Sequence, residues 1–600
     1  MKISQFFSSK KKIIKLNIVI CVIIAISLIV PVIFPGIANA CTAMYVGKNV
    51  SENGHTVLCR SVDSHPQNET SCYQEFPRVE NQPGRTYDYD EINFHYPLPD
   101  TTYRYTAVAF DSKTEVHCTN ECINEYGLTV TATVTCYNSP EIKKIDPFCK
   151  DGGLSELVCS DLVCMCCKTA REGVEFVGKI LDEKGSETGN SIMLADQNEA
   201  WYMEWYSGHQ WAAIKMPEDK VSTYGNQFMI DTEYDINDSS SFLYSQNLFS
   251  MPQNAGLAVI KNGKMSLRET YCGKDRLWDY ANLRTYIGHQ IFSPSTVSAY
   301  NVKDLYPLFY SPDEKVSLNQ IFEFFRNRFE GTPYSPDATG KTDVRVVASE
   351  SSASVHAVEI DSEAPAEVCG TAWATLSAAE HGIFLPYSGY LSVPFIYYSD
   401  SSNYQSENDP YIKDLDKDNT LRWYVEESAS VCYNKLSDLA EMDRKLYGVG
   451  VRNFWKEKEA NLIKEYTDVY KTMVDYYKQS PDKAKEYIET WSKNLQKESL
   501  AECRSMYDEL TWYCSLHNDT MKHSYSYDKL TISDTPTEVA PFVPKMVFYD
   551  KYLEKYKSEE NSFIFKINKI GFYVGAVVVV IAIISALVIF IAKKRKTNRD

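Results

Sequence analysis

The residues best suited to chemistry lie at one junction near the start of the chain. Ala38-Asn39-Ala40 is a small-x-small sequence that signal peptidase can cleave, and cleavage there would make Cys41 the first residue. Cys41 would then carry both a thiol, with a reference pKa of about 8.5, and an α-amine, with one of about 7.7–8.0. Because the amine can accept the thiol proton and return it to a leaving group, the junction predicts a cysteine nucleophile that needs no separate histidine.

Two other interpretations of Cys41 stay open at this point. The cysteine could be a disulfide partner, or it could be acylated as in a lipoprotein, and the chain would then be a non-enzymatic surface binding protein. Lipoprotein sites prefer a bulky aliphatic residue three positions before the cysteine, where this chain has Ala38. A free N-terminal cysteine on the native protein would favour the enzyme.

A leader precedes this junction. It has a basic start, an apolar run from Leu16 to Phe34, and the helix-breaking residues Pro35 and Gly36 before the cleavage site. The basic start contains Lys10, Lys11, Lys12 and Lys15. These features predict a signal peptide over residues 1–40, although the apolar run is also long enough for an uncleaved anchor.

The opposite end of the chain carries a second apolar segment. Ile570–Ala592 contains 23 residues and no charge, which gives a helix of roughly 35 Å against a hydrocarbon core of about 30 Å. The basic residues that follow are Lys593, Lys594, Arg595, Lys596 and Arg599. Because cytoplasmic flanks are enriched in Lys and Arg, we expect a single membrane-spanning helix, a cytoplasmic tail over residues 593–600, and residues 41–569 outside the cell.

Charge and cysteine usage exclude several classes of partner. The whole chain has a net charge of −18, and the leader and residues 570–600 contribute five and four net positive charges, so residues 41–569 carry −27. Such a surface repels nucleic acid and anionic lipid headgroups.

Cys164, Cys166 and Cys167 lie in an apolar, helix-like segment without a nearby histidine, and we interpret them as core thiols rather than metal ligands. No metal or organic cofactor is expected.

A hairpin is predicted to position Cys41. Thr42–Lys48 and Thr56–Arg60 have strand patterns and are joined by Asn53-Gly54, the strongest short-range indication of a hairpin turn. Cys41 therefore begins a strand.

Later segments alternate between strand and helix patterns. Leu128–Cys136 alternates Val or Ala with Thr, and residues 192–205 read as another hairpin. Leu154–Lys184 has apolar residues at helical spacing, as do residues 430–530, where Pro481 interrupts the pattern. Sheet and helix are therefore expected to pack in layers.

Four polar residues downstream fit the chemistry of an amine and a thiol. Arg60 and Asp63 follow in the same hairpin as Cys41, where the arginine would stabilise a thiolate and the aspartate would orient the α-ammonium. A surface ion pair is the alternative. Asn124 and Asn226 are candidate donors to the oxyanion of a tetrahedral intermediate, or else simple turn residues.

At this point the chain resembles a known family, the PepD-like cysteine dipeptidases of the N-terminal nucleophile (Ntn) hydrolases. The matching segments, in order, are Cys41-Thr-Ala-Met-Tyr-Val-Gly47, Gly54, Arg60-Ser-Val-Asp63, Asn124-Glu-Tyr-Gly-Leu128, Thr169-Ala-Arg-Glu172, Ala195-Asp196, Ala200-Trp201, Glu204, Gly225-Asn-Gln-Phe228, Trp373 and Phe384-Leu-Pro-Tyr387. The resemblance covers roughly residues 41–400.

This resemblance implies an α+β fold, a four-layer αββα sandwich. The sequence patterns add a C-terminal helical region and one C-terminal transmembrane helix, and the transmembrane helix departs from the family pattern. The resemblance also implies catalytic roles for Arg60, Asp63, Asn124 and Asn226, as in the related bile-salt hydrolases and penicillin acylases, whereas the pattern around Arg345 is too loose for an assignment. The expected organisation is a signal peptide (1–40), a peptidase domain (41–410), a helical extension (411–569), a transmembrane helix (570–592) and a basic tail (593–600).

The leading hypothesis is a membrane-tethered, outward-facing cysteine dipeptidase. Cys41 attacks the scissile carbonyl, its own amine moves the proton, and water resolves the thioester. The enzymatic alternative is an amidase of N-acyl amino acids or other small amides, because the same group of enzymes contains acylases with this nucleophile.

Overall fold

The computed structural model describes residues 41–64, 70–111, 119–273, 279–341, 344–400, 428–517, 524–526, 531–533 and 540–558. The predicted signal peptide and the predicted membrane helix at Ile570–Ala592 lie outside the described residues. Within those residues, no helix is both long enough and apolar enough to cross a membrane. A compact unit begins at Cys41.

The strands form two large antiparallel sheets and three small hairpins. In chain order they are β1 (Thr42–Val46), β2 (Thr56–Asp63), β3 (Ser71–Phe76), β4 (Thr86–Tyr89), β5 (Phe94–Pro97), β6 (Tyr105–Phe110), β7 (Thr119–Asn124), β8 (Thr129–Thr135), β9 (Asn190–Ala195), β10 (Ala200–Trp205), β11 (Trp211–Lys215), β12 (Val221–Tyr224), β13 (Phe242–Tyr244), β14 (Ile260–Lys261), β15 (Lys264–Met265), β16 (Ser352–Ile360), β17 (Gly370–Thr375), β18 (Leu385–Ser388), β19 (Ser524–Ser526) and β20 (Thr531–Ser533). The six-stranded sheet has the order β12-β1-β2-β16-β17-β18, and the eight-stranded sheet has the order β13-β11-β10-β9-β8-β7-β6-β3.

The hairpin predicted to begin at Cys41 is confirmed. β1 pairs with β2 in antiparallel register, with Ala43 opposite Arg60. Gly54 in the connecting turn has a φ of 81°, a left-handed conformation that glycine adopts at little cost. β2 continues to Asp63, beyond the predicted end of the strand at Arg60.

The two large sheets share one core. Buried apolar residues from both sheets belong to a single cluster. Tyr73 of β3 donates its hydroxyl to the backbone carbonyl of Ser388 in β18 at 2.9 Å. His356 of β16 bonds through Nε2 to the hydroxyl of Thr131 in β8 at 2.7 Å. The sheets therefore face each other.

Helices cover the sheets. They are α1 (Pro140–Ile145), α2 (Glu156–Cys166), α3 (Ala170–Lys184), α4 (Ser250–Asn254), α5 (Leu267–Cys272), α6 (Asp279–Phe292), α7 (Leu318–Phe325), α8 (Pro336–Thr339), α9 (Ala429–Glu441), α10 (Val449–Gln479) and α11 (Pro481–His517). α2 and α3 pack on the eight-stranded sheet through a second apolar cluster, and α6 packs against β12 of the other sheet. The predicted mixed α/β architecture is confirmed.

The helical segment predicted over Leu154–Lys184 is divided into two helices. Thr169 lies in an extended conformation between α2 and α3, and its hydroxyl accepts the backbone N–H of Glu172 at 3.2 Å. This N-cap starts a new helix and explains the break. The predicted end is confirmed, because Gly185 follows α3 with a φ of 72°.

A buried ion pair joins α10 to the sheet region. Both guanidinium Nη atoms of Arg326 donate to the carboxylate of Glu459 in α10 at 2.7 Å. Arg326 also donates to the backbone carbonyls of Ala379 and Gly382, at 2.9 Å each. Because an unpaired charge would be costly at this depth, the network holds α10 in one place against the sheet.

Candidate active site

Cys41 lies directly before β1 and is buried, with 5% of its surface exposed. The backbone N–H of Thr42 donates to the hydroxyl of Ser61 at 3.0 Å, which ties the start of β1 to β2. Because the two strands are antiparallel, the start of β1 lies beside the end of β2, where Arg60 and Asp63 are. The hairpin brings these three predicted residues together.

The sulfur of Cys41 is held by two donors. Arg60 Nη2 lies 3.2 Å from Sγ, and the backbone amide of Asp63 also bonds to the thiol. Burial raises the pKa of the Cys41 thiol, and the charge of the Asp63 carboxylate adds to that effect. The charge and hydrogen bond of Arg60 and the amide of Asp63 lower the pKa again without cancelling the rise. The thiol therefore stays protonated near neutral pH and needs a base.

The Asp63 carboxylate is itself fixed in position. Oδ2 accepts a bond from Arg345 Nη2 at 2.7 Å, and Oδ1 accepts one from the hydroxyl of Ser352 at 2.5 Å. Asp63 is buried, so these contacts supply the partners that water would otherwise give. A rigid negative charge thus lies beside Cys41.

Asn226 reaches the site through a second arginine. Its Oδ1 accepts a bond from Arg284 Nη2 at 2.7 Å, and Arg284 Nη1 donates to the backbone carbonyl of Cys41 at 2.7 Å. Burial and the charge of Arg345 lower the pKa of Arg284 to about 10. A Cβ atom on Gly225 would lie 2.7 Å from the Arg284 guanidinium carbon, so a glycine before Asn226 makes room for this contact.

Asn124 is not part of this arrangement. Its Nδ2 donates to the backbone carbonyls of Cys164 and Cys167 at 3.0 and 2.8 Å. Its Oδ1 accepts the backbone N–H groups of Tyr126 and Leu128, at 3.0 and 3.1 Å. Because both hydrogens of Nδ2 are already used, the side chain has no donor left for an oxyanion at Cys41. The geometry fits the turn-residue alternative and does not support the oxyanion role.

The contact from β7 to the site comes instead from Asn120. Its backbone carbonyl accepts a bond from Arg60 Nη1 at 3.3 Å. Asn124 lies four residues further along the same strand, a distance of about 13 Å. The start of β7 therefore helps to fix Arg60, the arginine that contacts the thiol, whereas Asn124 lies at the other end of the strand.

A family model described as Peptidase family C69 matches residues 40–426, which is more than half of the chain. This chain belongs to peptidase family C69. The match confirms the predicted class of enzyme, a cysteine-type peptidase. It also confirms the family resemblance that begins at Cys41.

Individual relatives of this C69 peptidase are named dipeptidases. A "Probable dipeptidase B" from Streptococcus pyogenes serotype M1 is 28% identical over 464 residues, which is 75% of this chain and 88% of the relative. A "Probable dipeptidase" from Salmonella dublin is 30% identical over 304 residues, or 50% of this chain and 69% of the relative. A variant of the conjugated bile acid hydrolase from Clostridium perfringens covers 58% of this chain and 92% of its own, at 11% identity and a TM-score of 0.24.

Sequence reasoning missed one arginine of the candidate site, Arg284, and left another, Arg345, unassigned. Arg284 comes from α6, which lies 243 residues from Cys41, and Arg345 is 282 residues from Asp63. Nothing in their local patterns distinguishes them from other arginines.

A buried histidine on the strand beside Arg60 is not a base for Cys41. His356 lies opposite Arg60 in the β2–β16 pairing, and its Nε2 bonds to Thr131. Burial and the charge of Arg60 hold the pKa of His356 well below its usual range. The neutral imidazole thus packs beside the arginine.

One group of side chains offers metal-ligand atoms close together among the described residues. Atoms of Glu380, His381 and Glu441 lie within 4.8 Å of one another. Arg444 pairs with Glu380 at 3.0 Å, and Arg328 approaches it at 3.8 Å. These positive charges oppose the binding of a cation, so we interpret the group as part of an ion-pair network.

Proposed function

We propose that this C69 peptidase hydrolyses dipeptides with Cys41 as an N-terminal nucleophile, after removal of residues 1–40. The observation that carries the proposal is the environment of the Cys41 sulfur, which has a guanidinium donor, a backbone donor and a fixed carboxylate around it. The names of the relatives support the choice of dipeptides.

Each step follows from groups at the first residue. The α-amine takes the proton of the Cys41 thiol, and Sγ forms a bond to the carbonyl carbon of the peptide. The ammonium then gives this proton to the leaving amine as the C–N bond breaks, which leaves a thioester. A water molecule, deprotonated by the same amine, cleaves the thioester and restores the thiol.

The surrounding side chains have separate tasks in this reaction. The Asp63 carboxylate, fixed by Arg345, orients the α-ammonium. One Nδ2 hydrogen of Asn226 is used by the carbonyl of Thr135, so the other can donate to the oxyanion. Arg284 fixes Asn226 and the carbonyl of Cys41.

We also infer the fold type and the setting of this enzyme. Two facing sheets with helices packed on them support the four-layer αββα sandwich of the Ntn hydrolases. The leader and the apolar segment Ile570–Ala592 support an enzyme that faces outward and is tethered by one C-terminal helix. Protease added to intact cells should then release an active fragment.

The free α-amine offers the most specific test of the mechanism. Mature protein that starts at Cys41 is compared with protein that retains Ala40, using dipeptides and N-acyl amino acids as substrates. Because an amide nitrogen cannot accept a proton, we expect the extended form to fold, by circular dichroism, and to lose hydrolysis of both. Normal dipeptide turnover with Ala40 retained would reject the mechanism, and preferential turnover of N-acyl amino acids would reject the dipeptidase.

A further inference from the structure

A cavity of about 680 Å³ lies between the six-stranded sheet and α10, and none of the residues that surround the Cys41 sulfur lines it. Its volume is typical of small-molecule sites, which span about 300–1,000 Å³. The hairpin of β1 and β2 forms one wall, the ends of β16 and β17 form the floor, and one face of α10 forms the opposite wall. The cavity is therefore a place separate from the nucleophile.

Aromatic rings from the floor and from the α10 wall meet at the cavity. The rings of Trp373 and Tyr466 meet edge to face at 5.3 Å, and Tyr470 follows at 6.2 Å from Tyr466. Hydrogen bonds fix two of these rings, since Trp373 Nε1 donates to Glu359 at 2.8 Å and the hydroxyls of Tyr466 and Thr371 lie 3.0 Å apart. Trp373 and Tyr466 are themselves buried, and Tyr470 is the partly exposed ring of the three. A ring held in this way favours contact with an apolar or aromatic side chain.

A negative pole lies beside the aromatic floor. Glu359 and Asp361 end β16 and follow it, and His55 lies between them, 3.4 Å from Glu359 and 3.9 Å from Asp361. Burial lowers the pKa of His55, but the hydrogen bond to Glu359 and the two negative charges outweigh burial and raise it. Tyr470 donates to Asp361 at 3.2 Å. The carboxylates of Glu359 and Asp361 also suit the ammonium group of a ligand that lies over an aromatic ring.

A positive rim lies on α10. Lys471 and Lys478 are exposed and line the cavity. In the part of the chain that the structure describes, neither ammonium group forms a salt bridge, although Asp475 is between them on the same helix. Glu52 adds a negative charge on the opposite wall. Charges of both signs thus face one aromatic cavity.

We propose that this cavity binds a free amino acid with an aromatic or large apolar side chain. The ammonium group lies at Glu359 and Asp361, the side chain lies on Tyr470, and the carboxylate lies at Lys471. A free amino acid is what a dipeptidase releases, and that link alone rests on the proposed function. The cavity is thus a second site, separate from Cys41, for the free amino acids that hydrolysis of dipeptides releases.

Two strands join the second site to the first. Val57 and Glu359 are opposite each other at the cavity, and Arg60 and His356 are opposite each other three residues away on the same strands. The separation is about 10 Å along β2. A ligand at Glu359 therefore contacts the strand pair that carries the arginine of the thiol.

Calorimetric titration of the full chain in detergent tests the proposal, with L-phenylalanine as the probe. Phenethylamine lacks the carboxylate and phenylpropionate lacks the ammonium group, so each should bind at least tenfold more weakly. No heat of binding for L-phenylalanine, or equal binding of either analogue, would overturn the zwitterion site.

Four variants locate the ligand. Lys471→Glu should weaken binding at least tenfold and Lys471→Arg should restore it, whereas Lys464→Glu, the same charge change at a position of α10 outside the cavity lining, should leave it unchanged. Arg60→Ala should also bind L-phenylalanine normally. Normal binding by Lys471→Glu, or loss of binding in Arg60→Ala, would place the ligand elsewhere. Failure of the proposed function would appear separately, as retained turnover in Cys41→Ser.

Discussion

The Cys41 site and the aromatic cavity lie on the same strand pair and use charge in opposite ways. Around Cys41 the charged groups are buried and paired, and every contact limits the position of one sulfur atom. In the cavity the lysines are exposed, and the lining residues surround an open volume. The nucleophile thus lies in a tightly packed place, whereas the cavity has the open volume that the proposed ligand needs.

The largest expected effect is the loss of turnover when Cys41 is replaced, and it distinguishes the nucleophile from the other thiols. Cys41→Ser should lower dipeptide turnover by roughly 1,000-fold or more, because a hydroxyl gives up its proton far less readily than a thiol. Cys166→Ser, at a half-buried thiol that ends α2, is the matched control and should keep normal turnover. Steady-state kinetics measure the turnover of both variants. An equal loss of turnover in Cys41→Ser and Cys166→Ser would contradict the assignment of Cys41 as the nucleophile.

The next effect concerns Asp63. Asp63→Asn should reduce turnover roughly 100-fold, because the α-ammonium and Arg345 lose their common partner. The same change should speed alkylation of Cys41, since the Asp63 carboxylate raises the pKa of the thiol. Iodoacetamide kinetics beside turnover measure the two effects. A parallel fall in both rates would indicate misfolding in place of the proposed role.

A smaller effect is expected from Arg60. This side chain lowers the pKa of the Cys41 thiol, so Arg60→Ala should move the pH profile of alkylation to higher pH. At a fixed pH near 8, each unit of that shift slows alkylation about tenfold. Arg60→Lys keeps the charge and should recover part of the rate. An unchanged profile in Arg60→Ala would show that the contact between Arg60 and Sγ does not control the reactivity of the thiol.

The smallest effect on turnover is expected at Asn124. Asn124→Ala removes the bonds that hold the turn after β7, so the free energy of unfolding should fall by about 1–3 kcal/mol. Turnover of the folded enzyme should change less than twofold, because this side chain does not reach Cys41. Urea unfolding measures the free energy of unfolding, and steady-state kinetics measure the turnover of the same variant. A large loss of kcat with normal stability would restore the oxyanion role.

Local patterns explain what the sequence could predict. Arg60 and Asp63 lie in a hairpin whose turn and alternation are visible in the sequence, so their approach to the nucleophile followed from strand pairing. Arg284 and Arg345 reach the site from segments more than 240 residues away, and no local pattern carries such a contact. Asn124 illustrates a further limit, since the same residue type serves turns and oxyanion sites.

Alkylation followed by intact mass and N-terminal sequencing identifies both the nucleophile and the first residue of the active enzyme. Native enzyme treated with one equivalent of iodoacetamide should gain a single carboxamidomethyl group on Cys41. Its chain should begin at Cys41 with a free α-amine, and turnover should fall in proportion to the modified fraction. Full turnover with Cys41 alkylated, or an active enzyme whose first residue is not Cys41, would contradict the account.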